Sequence, residues 1–161
     1  MKILVPIDGS QHSEAAVAAV AGRTWPSGTE IRILTVIHSS VPLMPDPAFV
    51  LAATHLEQLH EQRAQADPLL QAVADRVRKS LPTVSVTMKT LEGLPQDVIV
   101  KDATDWGADL IVLGSHGHSP RRQGWLGSVA SSVAADAPCA VEIIRLGRRA
   151  VHSPSARDDH G

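Results

Sequence analysis

The feature that most narrows the fold is a regular alternation between short apolar runs, rich in β-branched residues, and longer amphipathic stretches. The first run, KILVPI at 2–7, is ended by Asp8-Gly9-Ser10 and reads as a buried strand. An alanine-rich helical pattern follows at 11–22, with Ser10 placed to cap it. Further strands are expected at 30–37, 83–89, 109–114 and 139–146, and helices at 48–80, 93–105 and 127–136. The run DLIVLG is apolar without alternation, as a parallel strand covered on both faces should be. The order β-α-β-α-β-α-β-α-β predicts an α/β fold: one open, mainly parallel sheet with helices on both faces. In such sheets ligands bind beyond the carboxyl ends of the strands, where strand order reverses. Pro68, preceded by Asp67, predicts a break or kink in the long third segment. The polar residues from Gly147 onward read as a poorly ordered tail, leaving one domain over 1–147.

The most informative segment is IVLGSHGHSPRRQGWLGSVASSV at 111–133. A buried strand ends at Leu113, glycines follow at 114, 117 and 127, and a helix begins near Ser128. A strand, a glycine-containing loop and a helix N-terminus form a phosphate cradle. Glycines permit close backbone approach and positive φ. The N–H groups near Gly127, Ser128 and Val129 would meet phosphate oxygens, with the helix dipole favouring the negative charge. His116 is placed to contact a phosphate, and Arg121 and Arg122 to neutralise its charge. On these residues alone, a plain turn followed by a capped helix accounts for the pattern about as well. Asp8, at the end of the first strand, is placed either to accept from ribose hydroxyls, to help hold a magnesium ion, or simply to cap the next helix.

Taken together, ILVPIDGS at 3–10, the LEG-P stretch from Leu91, ADLIVLGSHG at 108–117 and the G-x2-G-x9-G-S spacing resemble the universal stress protein family over nearly the whole chain to about Arg145. The resemblance implies a Rossmann-like fold of the adenine nucleotide alpha hydrolase type, a five-stranded parallel sheet in the order 3-2-1-4-5. The intact glycine pattern resembles the ATP-binding group. By position, Pro6 and Ile7 would flank the adenine through their backbone, and Val36 would line its pocket. Asp8 would meet the ribose or adenine side, and Leu113 and Gly114 would lie near the ribose. Gly117, Gly127, Ser128 and Val129 would hold the phosphates. The implied ligand is ATP with Mg²⁺, AMP or cyclic AMP being the alternatives. A homodimer would form through the last strand, with Val141, Ile143 and Ile144 at the contact. Pro68 and the tail depart from the family pattern.

Composition limits the rivals. Aromatics are 2% of residues, tyrosine is absent and formal charge is −2, so nucleic acid and anionic membranes are not expected partners. The single cysteine, Cys139, excludes an intrachain disulfide and fits the cytoplasm; it reads as a buried small hydrophobe. The eight histidines show no zinc-site spacing, so no protein-held metal is expected. Trp125 lies inside the glycine loop, either packed on the body of the protein or acting as a lid. No Walker lysine, catalytic Asp-Asn pair or base placed to activate water is present, so no catalytic residue is assigned. The reading is a nucleotide-responsive regulatory module in stress response, hydrolysing ATP at most weakly; the alternatives are a slow ATPase or phosphotransferase, or a dimeric interaction module that binds AMP, cyclic AMP or no nucleotide.

Overall fold

The computed structural model describes residues 1–38, 48–117 and 126–146, with 48–56 and 58 described by backbone alone. Strands and helices alternate among them: β1 (Lys2–Ile7), α1 (Gln11–Ala21), β2 (Glu30–His38), α2 (Ala48–Ser80), β3 (Ser85–Gly93), α3 (Pro95–Trp106), β4 (Leu110–Gly114), α4 (Ser128–Asp136) and β5 (Ala140–Ile144). The strands form one sheet in the order β3-β2-β1-β4-β5, and every pairing is parallel. From β1 the chain winds outward through β2 and β3, then returns to the other side of β1 for β4 and β5. The switch point therefore lies between β1 and β4, where binding crevices form.

Strand periodicity divides the core. Ile3, Val5 and Ile7 of β1 and Ile31 and Ile33 of β2 pack under α1 and α2 with Val17, Val20, Val73 and Val77. Leu4, Leu34, Ile111 and Leu113 pack under α3 and α4 with Ile99, Ala103, Ala130 and Val133. Among the described residues, the buried hydrophobic ones are all Ile, Leu, Val and Ala. Ser10 caps α1, its Oγ accepting the Ser13 N–H at 3.2 Å. Gly107 ends α3 in the left-handed region, at φ 69°.

Two expectations are corrected. β3 occupies Ser85–Gly93 rather than 83–89, because it pairs with all nine residues of β2, from Glu30↔Ser85 to His38↔Gly93. Ladder hydrogen bonds to a long neighbour carry the strand past the point where its alternation fades. The break at Pro68 does not occur, for α2 runs through it. Residues 60–65, 67 and 68 are exposed and burial of α2 begins in earnest at Leu70, so the carbonyl left without its N–H partner lies in a solvated stretch. The tail from Gly147 lies outside the described residues. Among the described residues, no helix is long and apolar enough to cross a membrane.

Candidate functional site

A cavity of about 980 Å³ opens at the switch point, on the α3/α4 side of the sheet. Its apolar walls come from Leu34, Val36, Ile99 and Leu113, with Pro6 and Ile7 at the end of β1 bordering it, and its polar end from Asp8, His116, Gly117 and the first turn of α4. Of the residues expected at a site, Pro6, Ile7, Asp8, Val36, Leu113, Gly114, His116, Gly117, Gly127, Ser128 and Val129 all line it. Arg121, Arg122 and Trp125 lie outside the described residues.

The glycines are accounted for by close packing within the protein. Neither Gly114 nor Gly117 has positive φ; those described glycines that do are Gly9, Gly28, Gly93 and Gly107. A Cβ at Gly114 would lie 2.5 Å from the backbone carbon of His12 and 2.6 Å from its carbonyl oxygen. The end of β4 thus rests directly on the first turn of α1. A Cβ at Gly117 would lie 2.7 Å from Oδ2 of Asp8. The other Asp8 oxygen, Oδ1, accepts the Ser10 N–H at 2.9 Å. Asp8 therefore braces Gly117 against the β1–α1 turn.

The donors at the helix entry are also redistributed. The N–H of Gly127 donates to the Ser115 carbonyl at 2.8 Å, and the Ser115 N–H donates to the Ile144 carbonyl at 2.9 Å. Gly127 is the N-cap of α4, with φ −68° and ψ 160°, and its carbonyl accepts the Ser131 N–H at 2.9 Å. The amides without an intrahelical acceptor are consequently those of Ser128, Val129 and Ala130, one position further on than the sequence reading placed them.

Sequence reasoning missed several lining residues, though their periodicity pointed to them. Leu34 and His38 flank Val36 at two-residue spacing on the same face of β2. Pro95 and Ile99 are one helical turn apart on α3, and Ser131 and Ser132 stand one turn after Ser128 on α4. His12 was also missed: its ring lies 5.1 Å from that of His116, tilted by 51°.

On the same side of the sheet is a partly buried polar cluster, in which Arg32 Nε is left without a hydrogen-bond partner. Asp102 follows Ile99 by one turn and is 2% exposed. It accepts from Arg32 Nη1 at 3.1 and 3.2 Å and from Lys89 Nζ at 2.5 Å. The Arg32 guanidinium lies 4.0 Å over the Trp106 ring. Cys139 is half-buried just before β5, and desolvation, with a smaller contribution from Asp109, pushes its thiol up from the ordinary range. At β5, Val141 and Ile143 pack toward the α3/α4 core and Ile144 toward the other. All three are partly buried by their own domain, although β5 is an edge strand. Among the described residues, no group of three or more His, Cys, Asp or Glu could hold a metal ion.

Fold and site together define a doubly wound α/β domain whose cavity, at the switch point, is bordered by Gly114, Gly117 and a helix N-terminus. The universal stress protein family model matches residues 1–145, and the chain belongs to that family. It is 31% identical over 147 residues to a universal stress protein of Thermus aquaticus, covering 89% of this chain and 97% of the relative. Its fold is similar to that of the protein MJ0577 of Methanocaldococcus jannaschii, with TM-score 0.78, 24% identity and coverage of 91% and 96%. Universal stress protein UspA from Lactobacillus plantarum superposes with TM-score 0.75 at 28% identity, covering 90% and 97%. Two more distant solved structures, each 19% identical, hold nucleotides. One is a universal stress protein in complex with cAMP (TM-score 0.60, coverage 90% and 96%) and the other an Arabidopsis thaliana family member with AMP bound (0.64, 96% and 96%).

Proposed function

We propose that this chain binds an adenine nucleotide, ATP with its magnesium ion foremost, and acts as a nucleotide-responsive regulatory module in the cytoplasm. The observation that carries this reading is the cavity itself. It joins an apolar slot between Ile7, Val36 and Leu113 to the N-terminus of α4. A purine fits the first and phosphates the second. Ser128, Val129 and Ala130 supply N–H donors, the Ser128 hydroxyl adds another, and magnesium would arrive on the phosphates. AMP and cAMP in two relatives favour a second reading in which the preferred ligand carries one phosphate. β5 stands at one edge of the sheet, which supports a homodimer through it.

The test is equilibrium binding of ATP, AMP, cyclic AMP and GTP to purified protein, with mass spectrometry of any ligand that copurifies. ATP tighter than AMP supports the first reading, and the reverse order supports the second. Equal affinity for GTP and ATP, or no binding of any of them, would sink both. Sedimentation at several protein concentrations tests the dimer.

A further inference from the structure

The nucleotide reading draws on β1, β4 and α4 and leaves the Leu91–Pro95 stretch without a part, although that stretch also reaches the cavity. The ladder between β1 and β2 ends at Ile7↔Thr35, whereas β2 and β3 stay paired for three residues more, to His38↔Gly93. The carboxyl end of β2 therefore overhangs β1. Leu34, Val36 and His38 alternate along it on the face that lines the cavity. Just beyond the last pair the chain turns sharply. Gly93 has φ 137°, and a Cβ there would lie 2.9 Å from Val98 Cγ2, so the position requires glycine. Leu94 then caps α3 and Pro95 takes its first position, where an N–H would have no intrahelical acceptor. This turn brings Pro95 to the cavity, one helical turn before Ile99. The outer end of the slot thus has His38 on its sheet side and Pro95 on its helix side.

We infer that His38 is a specificity-determining residue, its imidazole stacking on one face of the purine while Pro95 closes over the other. This rests on the nucleotide reading and states how the base is held. Leu34, Val36, Ile99 and Leu113 offer aliphatic contact only, and an imidazole adds a flat π-surface of the kind on which bases stack. The rings among the described lining residues are those of His38 and His116. His116 stands at the phosphate end, its Cα 3.3 Å from where a Cβ of Gly127 would lie. The described tryptophans are committed elsewhere: Trp25 donates to the Val20 carbonyl at 2.9 Å, and Trp106 lies 4.0 Å under the Arg32 guanidinium. His38 is exposed while lining the cavity, so a base laid on it covers a ring that otherwise faces water. Stacking reads the breadth of a base and not its hydrogen-bonding edge, because every base has a π-face. His38 therefore adds affinity for purines as a class and leaves the choice among them to other groups.

The experiment is equilibrium binding of ATP and of purine riboside triphosphate, which lacks the exocyclic amine, to the unaltered protein, His38→Ala and His38→Phe. His38→Ala should weaken both ligands by the same factor, roughly three- to tenfold. His38→Phe should restore both to within about twofold of the unaltered protein. Phenylalanine keeps a flat ring but has no nitrogen, so this recovery assigns the effect to stacking and not to a hydrogen bond or a charge. ATP affinity unchanged in His38→Ala, or lowered equally in both variants, overturns the inference and leaves the nucleotide reading standing. A loss for ATP with none for purine riboside triphosphate also overturns it, because His38 would then read the amine edge. Failure of the unaltered protein to bind either ligand overturns both.

Discussion

Two carboxylates on the α3/α4 side of the sheet are held in opposite ways. Asp102 is almost wholly buried and spends both oxygens on Arg32 and Lys89, with Trp106 packed on the arginine. Asp8 stands exposed at the cavity lip, one oxygen on the Ser10 N–H and the other under Gly117. The cluster around Asp102 ties β2, β3 and α3 together and does not border the cavity. Asp8 and the Gly117 packed against it do. A polar group satisfied by its own fold serves the fold; one that shapes a cavity edge serves what enters it.

The largest effect should follow from Asp102→Ala. It leaves Arg32 partly buried without its counter-charge, and breaking such a pair costs about 3–5 kcal/mol. Half-exposed Lys89 can turn to water, which places the loss toward the lower end. Urea denaturation of the variant should show this drop, while ATP affinity at temperatures where it is folded changes less than about twofold. A parallel fall in affinity would break the division between the two carboxylates.

Gly114→Ala comes next. The added methyl meets the His12 backbone, which cannot rotate away as a side chain would. Overpacking of this kind costs about 1–3 kcal/mol, read as a lowered urea midpoint with an unchanged m-value. Unaltered stability would mean that β4 does not rest on α1 as described. Gly117→Ala should instead act on binding. Its methyl presses on the Asp8 carboxylate, so ATP affinity should fall about tenfold while stability changes by under about 1 kcal/mol. The double change with Asp8→Ala should recover part of that loss, since the clash is with Asp8 itself. Strict additivity of the two would refute the bracing role.

The sheet was legible in the sequence because burial writes itself as periodicity. KILVPI and DLIVLG announce central strands, and both lie next to the switch point. Edge strand β3 was legible only in part, since its limits are set by pairing with β2 rather than by its own residues. Pro68 misled for a related reason: a local rule about helix breaking does not say whether the freed carbonyl will face water. At the site, the spacing of Gly114, Gly117 and Gly127 located the residues but not their causes. What a missing Cβ makes room for, His12 backbone in one case and Asp8 in another, depends on contacts across roughly a hundred residues of chain, and no spacing within the loop encodes them. The His12–His116 contact was hidden for the same reason.

The smallest effect concerns the far edge of the sheet, and it tests whether a satisfied carboxylate stabilises when it is exposed. Glu142 on β5 accepts from both terminal nitrogens of Arg23, at 2.6 and 2.5 Å, tying the edge strand to the residue just past the C-terminal end of α1. That hydrogen bonding, with a smaller charge attraction and against some desolvation, holds the carboxyl below the usual carboxylate range. A depressed carboxyl stabilises the fold above its unfolded pKa, and the stabilisation is lost as pH falls through the folded value. Both partners are about a third or more exposed, so the pair is worth no more than about 1 kcal/mol. Glu142→Gln should therefore cost that much or less at neutral pH. The gap between it and the unaltered protein should hold down to about pH 5 and close below about pH 4. It should also narrow in high salt, more than for Asp102→Ala, whose carboxylate is buried. A gap that persisted undiminished at acid pH would assign the loss to altered packing of β5 against α1 rather than to charge, and Glu142 would then belong with the core rather than with the surface.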